Sequence, residues 1–383
     1  MMEKRKIIYS GGFLFFLSLG LAAYINSSFL TSFVGEKFVG VVFALASLTA
    51  VAALLIAPKI FRRIGGYKFL VLIAVLDALS FFTIAILEDT WAVILVFIIG
   101  FSLNTLIMFS LDEILKIFST DSKTGEIRGT YLSLSNLSWI VAQLAIALFL
   151  GNFSFRVIYL SSFVVMILFS AICLYRLKNI PDPKYDTARS LSYVKKFFQH
   201  GNLRLAYKLN FLVQFFYSWM LIYTPIYLYS HLGFSWKEIG FIFMIMLIPF
   251  LIIPIRMGKY ADKIGERKML MFGFIVMGFF SLSLFFAGVH SVILWAFLLF
   301  CTRVGAATTE AMSDTYFFKH IRPENEEFVG VYRSAMPVAD IVGPLLAFLL
   351  LLVLPSLNFL YIILSAIMFS GIHLASKIKK SDI

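Results

Sequence analysis

The fold of this chain is decided by the segment Gly258-Lys259-Tyr260-Ala261-Asp262-Lys263-Ile264-Gly265-Glu266-Arg267-Lys268. It is a short, charged turn marked by glycine, and long apolar runs flank it, at residues 239–257 and 269–288. A soluble protein has no reason to join two such runs by so tight a basic hinge. Because each run is close to the roughly 20 residues that a helix needs to cross a bilayer, the segment indicates a helical membrane protein.

The composition supports the same class. Apolar residues make up 61% of the 383 residues and charged residues only 14%, whereas soluble domains are about half apolar and about a quarter charged. The apolar runs are continuous and do not alternate, so helices are expected rather than a transmembrane β-barrel. The net charge of +12 does not indicate nucleic-acid binding, because the basic residues lie between the apolar runs.

Twelve apolar runs are long enough to cross a membrane. The predicted spans are 7–32, 38–57, 67–87, 91–112, 126–150, 156–176, 205–230, 237–257, 268–288, 290–315, 327–353 and 356–376. With the N-terminus inside, 29 of the 33 Lys and Arg residues fall in cytoplasmic segments. This asymmetry follows the positive-inside rule and places both termini in the cytoplasm, with the chain in the plasma membrane. The first run is too long for a signal peptide and is predicted to be retained.

The longest polar stretch divides the spans six and six. We predict an N-terminal six-helix bundle at 1–176, a cytoplasmic linker at 177–204 and a C-terminal six-helix bundle at 205–383. Three matches between the halves indicate duplication of a six-span unit. They are Arg63-Ile64-Gly65 with Lys263-Ile264-Gly265, 200 residues apart, and Gly129-Thr130-Tyr131 with Gly330-Val331-Tyr332 and Glu113 with Asp314, each 201 apart.

The linker contains one amphipathic segment. Its apolar residues Leu191, Val194, Phe197 and Phe198 fall on one face of an expected helix, with basic residues around it. This pattern favours a short interfacial helix on the anionic inner leaflet, and a flexible linker is the alternative.

The chain resembles the major facilitator superfamily over essentially its whole length. The most specific match is the loop motif G-x-x-x-D-[R/K]-x-G-x-[R/K]-[R/K], which is filled here by Gly258, Asp262, Lys263, Gly265, Arg267 and Lys268. The resemblance implies that this loop helps to hold the outward-facing state through charge contacts between helix ends. The simpler alternative is a positive-inside loop with no gating role. In the corresponding loop of the first half, Arg62 stands where the aspartate is expected.

Two further likenesses are weaker. Arg303-Val304-Gly305-Ala306-Ala307 in span ten loosely resembles a pattern that the family places in span four. The glycine-proline motif of drug/proton antiporters is absent from span five, and Gly343-Pro344 in span eleven is only a partial echo. The drug-efflux interpretation is correspondingly weakened.

Ionisable residues inside predicted spans are the candidates for ion coupling, because a charge at mid-membrane is costly and tends to mark a functional site. They are Arg303, Glu310, Asp340 and Asp77. Spans ten and eleven run in opposite directions, so Arg303 and Asp340 fall at similar depth and are expected to pair. Glu310 follows Arg303 on the same helix face, about 10 Å closer to the cytoplasm. We favour proton coupling or recognition of a charged substrate group over a structural ion pair. Asp314 and Arg333, near inner span ends, are expected to join helix-end networks.

The family's fold implies a central cavity lined by spans one, four, seven and ten, to which span five adds residues. The candidate cavity residues are Tyr24, Asn26, Asn104, Asn136, Trp139, Gln143, Gln214, Tyr217, Trp219 and Tyr223. Amides and aromatic rings together suit a moderately polar organic molecule. Hydrogen bonding between helices is the equal alternative for any one of them.

The sequence contains no Walker loop and no Cys/His cluster with metal-ligand spacing, so we expect no cofactor, no bound metal and no enzymatic activity. The resemblance implies a secondary transporter that moves a small organic solute by alternating access and is coupled to protons, in import or export. We expect a monomer surrounded by membrane lipids. The alternatives are an uncoupled facilitator and a non-transporting membrane receptor or scaffold with the same fold.

Overall fold

The computed structural model describes residues 2–117, 124–178, 191–253, 264–321 and 328–378, and the secondary structure of this part of the chain is helical. The helices are α1 (Met2–Ile64), α2 (Gly66–Ile86), α3 (Thr90–Ile117), α4 (Thr124–Ala145), α5 (Phe155–Arg176), α6 (Leu191–Gln199), α7 (Gly201–Ile226), α8 (Trp236–Leu247), α9 (Glu266–Phe286), α10 (Val292–His320), α11 (Phe328–Arg333), α12 (Ala335–Leu351) and α13 (Phe359–Ser376). Single π-helical turns, Ile146–Leu150 and Tyr227–His231, extend α4 and α7.

Eleven helical segments of the described residues are long and apolar enough to cross a membrane. The first, Arg5–Phe61, has 57 residues, whereas about 20 suffice for one crossing. Its backbone leaves the helical conformation at Gly35, with φ 76° and ψ 157°, where two helices join across a kink. Glycine adopts such a positive φ without the steric cost that other residues incur. Gly35 falls between the first two predicted spans.

The chain divides into two compact units. The first comprises Met1–Thr187 and Ser235–Gly240, and the second comprises Ala188–Phe234 and Phe241–Ile383. Within the first unit, α1 packs against α3, α4 and α5, and α2 packs against α3 and α5. Within the second, α9 packs against α10 and α13, while α7 packs against α10, α12 and α13.

Two glycine turns that match in the sequence repeat, one in each half, have the same backbone conformation. Gly65 has φ 84° and ψ 146°, and Gly265 has φ 85° and ψ 145°. Each glycine precedes a helix of 21 residues. The next helix in each half begins at a capped position, since side-chain oxygens of Asp89 and Ser291 accept backbone N–H groups three residues on. Local structure thus repeats in the two halves along with the sequence.

A close contact between α9 and α10 fixes the helix that carries the candidate charges. A Cβ atom added to Gly305 would lie 2.7 Å from the Gly273 carbonyl oxygen, and one added to Gly273 would lie 2.9 Å from the Gly305 carbonyl oxygen. Small residues allow helix backbones to approach in this way. One side of α10 is therefore held against α9, and Arg303 and Glu310 contact α7 from another side.

The helix α6 lies in the predicted linker and packs against other helices of the second unit. Phe197 is fully buried, with ring centroids of Phe328 and Phe317 at 5.6 Å and 6.4 Å. Lys195 and Lys196 are exposed, and Val194 is 41% exposed. Of the expected apolar face, Phe197 is therefore used for packing, whereas Val194 is exposed like the two lysines.

Candidate functional site

The candidate site of the second unit is formed where α7 meets α10. The Tyr217 hydroxyl donates a hydrogen bond of 2.9 Å to Glu310 Oε2. The Arg303 guanidinium carbon lies 5.1 Å from the ring centroid of Phe216 and 5.5 Å from that of Tyr217. Such distances are typical of cation–π contacts. One tyrosine therefore contacts the basic and the acidic candidate residue of α10 at once.

Arg303 does not pair with Asp340 in this structure. Arg303 is only 3% exposed, its Nη1 is buried without a hydrogen-bond partner, and no ion pair joins it to any described residue. Its guanidinium lies against two aromatic rings of α7 instead. The expected pair was inferred from equal depth in the membrane, and depth does not fix the direction in which a side chain leaves its helix. The structure corrects that expectation.

Asp340 on α12 is partly exposed and faces the Ser218 hydroxyl of α7, which forms no well-aligned hydrogen bond. The approach of α12 to α7 depends on Gly343, since a Cβ there would lie 3.3 Å from Ser218 Oγ. The Trp219 indole N–H donates to the Gly343 carbonyl at 2.7 Å. Pro344 has no N–H for the Asp340 carbonyl, so the helix is locally weakened beside the carboxyl group.

Glu310 lies four residues from the start of a second polar cluster on the same face of α10. The Tyr332 hydroxyl donates to Asp314 Oδ1 at 2.8 Å, and Arg333 Nη2 lies 3.9 Å from Asp314 Oδ2. Asn210 of α7 donates to the Tyr332 carbonyl at 3.4 Å. Gln214, a predicted cavity residue, donates to Asn210 Oδ1 at 3.2 Å. Asp314 and Arg333 therefore lie in a helix-end network, and Asn210 and Tyr332 are members that the sequence did not single out.

Asp77 lies in the first unit, buried between α2 and α3. It is 0% exposed, and its Oδ1 accepts hydrogen bonds of 3.3 Å from Ser80 and from the Asn104 amide. Its Oδ2 has no partner. The helices approach closely here, because a Cβ on Gly100 would lie 2.8 Å from Ser80 Oγ. Asp77 and the predicted cavity residue Asn104 thus contact each other across a tight helix interface.

Other predicted cavity residues of the first unit form contacts between helices. Gln143 is 1% exposed and donates to the Gly20 carbonyl at 2.9 Å. Asn26 Oδ1 accepts the Tyr159 hydroxyl at 2.7 Å. The rings of Tyr24 and Trp139 meet edge to face with centroids 5.9 Å apart. Asn136 is partly exposed. In the second unit, the Tyr223 hydroxyl lies 3.4 Å from the Pro344 carbonyl.

A cavity of about 360 Å³ in the first unit lies apart from these residues. It contains the Arg156–Glu88 ion pair of 2.6 Å. Its lining residues are Phe29, Ser32, Phe33, Leu87, Glu88, Ser154, Phe155 and Arg156. None of them is a predicted cavity residue.

Half of the loop motif lies within the described residues. Gly258, Asp262 and Lys263 lie outside them. Gly265 is buried at the start of α9, Arg267 is partly exposed and Lys268 is exposed. The buried acid of this turn is Glu266, 1% exposed, which forms an ion pair with Lys319 at the end of α10. The sequence did not single out Glu266, although an acidic residue in the first turn of a helix is a recognisable signal.

Comparisons of the sequence and of the fold with known proteins both find membrane transporters. Residues 209–379 match the sequence model of the Major Facilitator Superfamily. The fold is similar to that of a nucleoside transporter, NupG, with 12% identity and a TM-score of 0.79 over 97% of this chain and 99% of that chain. A D-xylose-proton symporter shares 15% identity, with a TM-score of 0.75 over 97% and 96%. The POT family transporter PepTSo shares 10% identity, with a TM-score of 0.78 over 98% and 97%. No curated protein matches the chain in sequence.

These matches confirm the resemblance that the loop motif predicted. With the apolar helices, they identify the chain as an integral membrane protein. The family and the transporters of similar fold indicate a transporter rather than an enzyme.

Proposed function

We propose that this relative of the major facilitator superfamily is a proton-coupled secondary transporter that moves a small organic solute across the cytoplasmic membrane. It has twelve spans in two six-helix bundles, with both termini in the cytoplasm, and works by alternating access. The loop motif at residues 258–268 helps to hold the outward-facing state, and it carries more of this role than the first-half loop, in which Arg62 stands where the aspartate is expected. The observation that carries the proposal is the Tyr217–Glu310 hydrogen bond between α7 and α10, next to the unpaired Arg303.

The coupling role of Glu310 follows from its hydrogen-bonding chemistry. An ionised carboxylate only accepts hydrogen bonds, whereas a protonated carboxyl group also donates one. Charged Glu310 therefore accepts the Tyr217 hydroxyl group, and proton binding changes the link between α7 and α10. Glu310 is partly exposed, so a proton can reach it without unfolding of the helices. Asp340, beside a proline-weakened segment of α12, is the second candidate for the same role.

The similar folds support a transporter but leave its solute open. The related structures are those of a nucleoside transporter, a D-xylose-proton symporter and a POT family transporter. The first two are named for organic solutes, and the second is also named for its proton coupling. Cation–π contacts, amide groups and aromatic rings at α7 and α10 suit an organic solute in this chain as well.

The test is transport by the purified protein in proteoliposomes, after a thermal-shift screen has identified a solute. Wild-type protein is expected to accumulate the solute when a pH gradient is imposed. Glu310→Gln keeps the size and the Tyr217 hydrogen bond but cannot ionise, so it is expected to exchange solute without accumulating it. Ser283→Ala, which changes an exposed hydroxyl of α9, is the matched control and should behave as wild type.

The alternatives give different results in the same assay. If accumulation is unaffected by both Glu310→Gln and Asp340→Asn, other residues must couple transport to protons. If transport does not respond to the gradient at all, the protein is an uncoupled facilitator. A receptor or scaffold would bind its ligand without exchange, and cysteine labelling from the two sides would show no alternation of access.

A further inference from the structure

The guanidinium group of Arg303 is buried and forms no ion pair. It is 3% exposed, and none of the ion pairs of the described residues includes it. Nη1 is buried and lacks a hydrogen-bond partner. Its contacts are the rings of Phe216 and Tyr217. An arginine side chain stays charged in proteins, so this positive charge is present whatever the pH.

An unpaired buried charge is costly, and the aromatic rings offset only part of that cost. Charges inside a membrane protein are ordinarily paired, or they mark a substrate or ion pathway. The Nη1 group of the guanidinium has no hydrogen-bond partner among the described residues, so its N–H donors remain for hydrogen bonding. The guanidinium edge presents N–H donors in a fork that matches the two oxygens of a carboxylate.

We propose that Arg303 binds the carboxylate group of the transported solute, which is an organic monoanion or a zwitterion. The proposal rests on the transport function proposed above and names the substrate class for the same site. Glu310 follows two turns later on α10, and Asp340 lies on α12, which packs against α7 as α10 does. A phosphate monoester, with two negative charges, is disfavoured beside these two acidic groups because like charges repel.

The neighbouring rings supply a place for the organic part of the solute. Tyr217 and Phe250 are both partly exposed, and their ring centroids lie 5.8 Å apart. Aromatic side chains provide contact area for an apolar group, while a few polar groups fix its orientation. A carboxylate held by Arg303 would leave its substituent next to Tyr217, whose hydroxyl group is already committed to Glu310.

The same geometry explains why solute and proton would move together. Among the described residues, the charged and titratable groups that act on Glu310 are Arg303 and Asp314 on its own helix, Tyr217 on α7, and Tyr332 and Arg333 on α11. A carboxylate bound at Arg303 adds negative charge close to Glu310, so the bound anion and a proton on Glu310 stabilise each other. Such reciprocity is required of any two coupled ligands. A monoanion and a proton cross together without net charge, whereas a zwitterion and a proton cross with one positive charge.

The experiment is a thermal-shift titration of the full-length protein in detergent. The probes are benzoate, lactate and L-phenylalanine, each compared with its neutral or cationic amide, namely benzamide, lactamide and L-phenylalaninamide. A ligand that binds only the folded protein raises its melting temperature. We expect at least one carboxylate to raise the melting temperature while its amide does not, and the amino acid separates zwitterions from simple acids. Phenyl phosphate is expected to have no effect.

Substitutions at two positions show whether Arg303 is responsible. Arg303→Lys keeps the charge but lacks the fork and is expected to raise the dissociation constant of the carboxylate about tenfold or more. Arg303→Gln is expected to abolish the shift. Ser283→Ala, which changes an exposed hydroxyl of α9, is the matched control and should bind the carboxylate as the wild-type protein does. Gel filtration and the melting temperature without ligand show that each variant is folded.

Three results would overturn the proposal: no shift with any carboxylate, equal shifts with acid and amide, or an unchanged dissociation constant in Arg303→Lys. Its failure is separable from failure of the transport function. If a neutral solute accumulates in proteoliposomes under a pH gradient, the proposed transport function is supported and the proposed carboxylate site at Arg303 is rejected.

Discussion

At the scale of single residues, Asp77 and Glu310 are acidic groups inside helical spans with opposite surroundings. Asp77 is fully buried, its carboxylate accepts hydrogen bonds from the neutral groups of Ser80 and Asn104, and no cation among the described residues pairs with it. Glu310 is partly exposed and contacts Tyr217, with Arg303 on the same helix. An uncharged carboxyl group satisfies the first environment, whereas the second tolerates either form. The surroundings therefore favour Glu310 over Asp77 as the group that exchanges a proton.

Substitution of Asp77 tests this distinction. Asp77→Asn keeps an acceptor oxygen for Ser80 and Asn104 and removes the ionisable group, so we expect an unchanged or higher melting temperature and normal proton-driven transport. Asp77→Ala leaves both donors without their acceptor and is expected to cost about 1–3 kcal/mol. Thermal unfolding followed by intrinsic fluorescence measures the stability of both. If the Asp77→Asn protein is stable but no longer accumulates solute under a proton gradient, Asp77 takes part in proton coupling and the distinction is wrong.

At the scale of helices, glycine positions determine how closely the elements pack. Gly305 contacts the backbone of α9, with its added Cβ 2.7 Å from the Gly273 carbonyl oxygen, whereas a Cβ at Gly129 of α4 would meet nothing within 4 Å. Both positions are helical. The backbone of α9 leaves no room for a side chain at Gly305, whereas at Gly129 only helix propensity distinguishes glycine from alanine.

Alanine at these two glycines should therefore have opposite effects. Gly305→Ala forces α9 and α10 apart, because a backbone carbonyl cannot rotate away as a side chain can, and a lower melting temperature is expected. Gly129→Ala should leave the protein as stable or stabilise it by up to about 1 kcal/mol, since alanine favours a helix more than glycine does. The comparison is made by thermal unfolding in one detergent. Equal effects of the two changes would show that α9 and α10 are not in close contact.

The docking of α6 can be measured in the same way. Phe197→Ala removes a ring that is fully buried against Phe317 and Phe328, and large aromatic truncations in a core cost about 3–5 kcal/mol. We expect α6 to detach and trypsin to cleave faster at Lys195 and Lys196. Val194→Ala, at a side chain 41% exposed, is the control and should leave the cleavage rate unchanged. Similar rates for all three proteins would mean that α6 is not held by Phe197.

Helices and their glycine turns could be predicted from the sequence, because apolar length and a positive φ are local properties. Gly65 and Gly265 were paired by sequence offset alone, and their backbones agree within two degrees. Side-chain partners could not be predicted, since they depend on how each helix is rotated about its axis. Depth alone led to the Arg303–Asp340 pair, whereas the rotation of α10 directs Arg303 to the rings of α7. Tyr217 was a candidate for the cavity, but nothing in the sequence connected it to Glu310.

At the scale of the whole molecule, the number of crossings decides the side on which each terminus lies. If each of the eleven apolar helices among the described residues crossed once, the two termini would lie on opposite sides of the membrane. The first of them has 57 residues and a kink at Gly35. At 1.5 Å per residue its helical parts add up to about 85 Å, which is far more than one crossing needs. Two crossings with a turn at Gly35 give an even total. The 29 of 33 basic residues that fall in predicted inner segments likewise predict both termini in the cytoplasm.

Reporter fusions and one cysteine test this topology. Green fluorescent protein fused to either terminus should fluoresce in cells, because it matures in the cytoplasm and not after export in unfolded form. Lys37→Cys, two residues after Gly35, should react in intact cells with a maleimide that cannot cross the membrane. The background is a variant without Cys173 and Cys301, and Lys59→Cys, at the end of the second predicted span, is the control that should react only after the cells are opened. Labelling of both positions from outside, or fluorescence at one terminus alone, would show that the first helix crosses once, and the twelve-span arrangement would then be wrong.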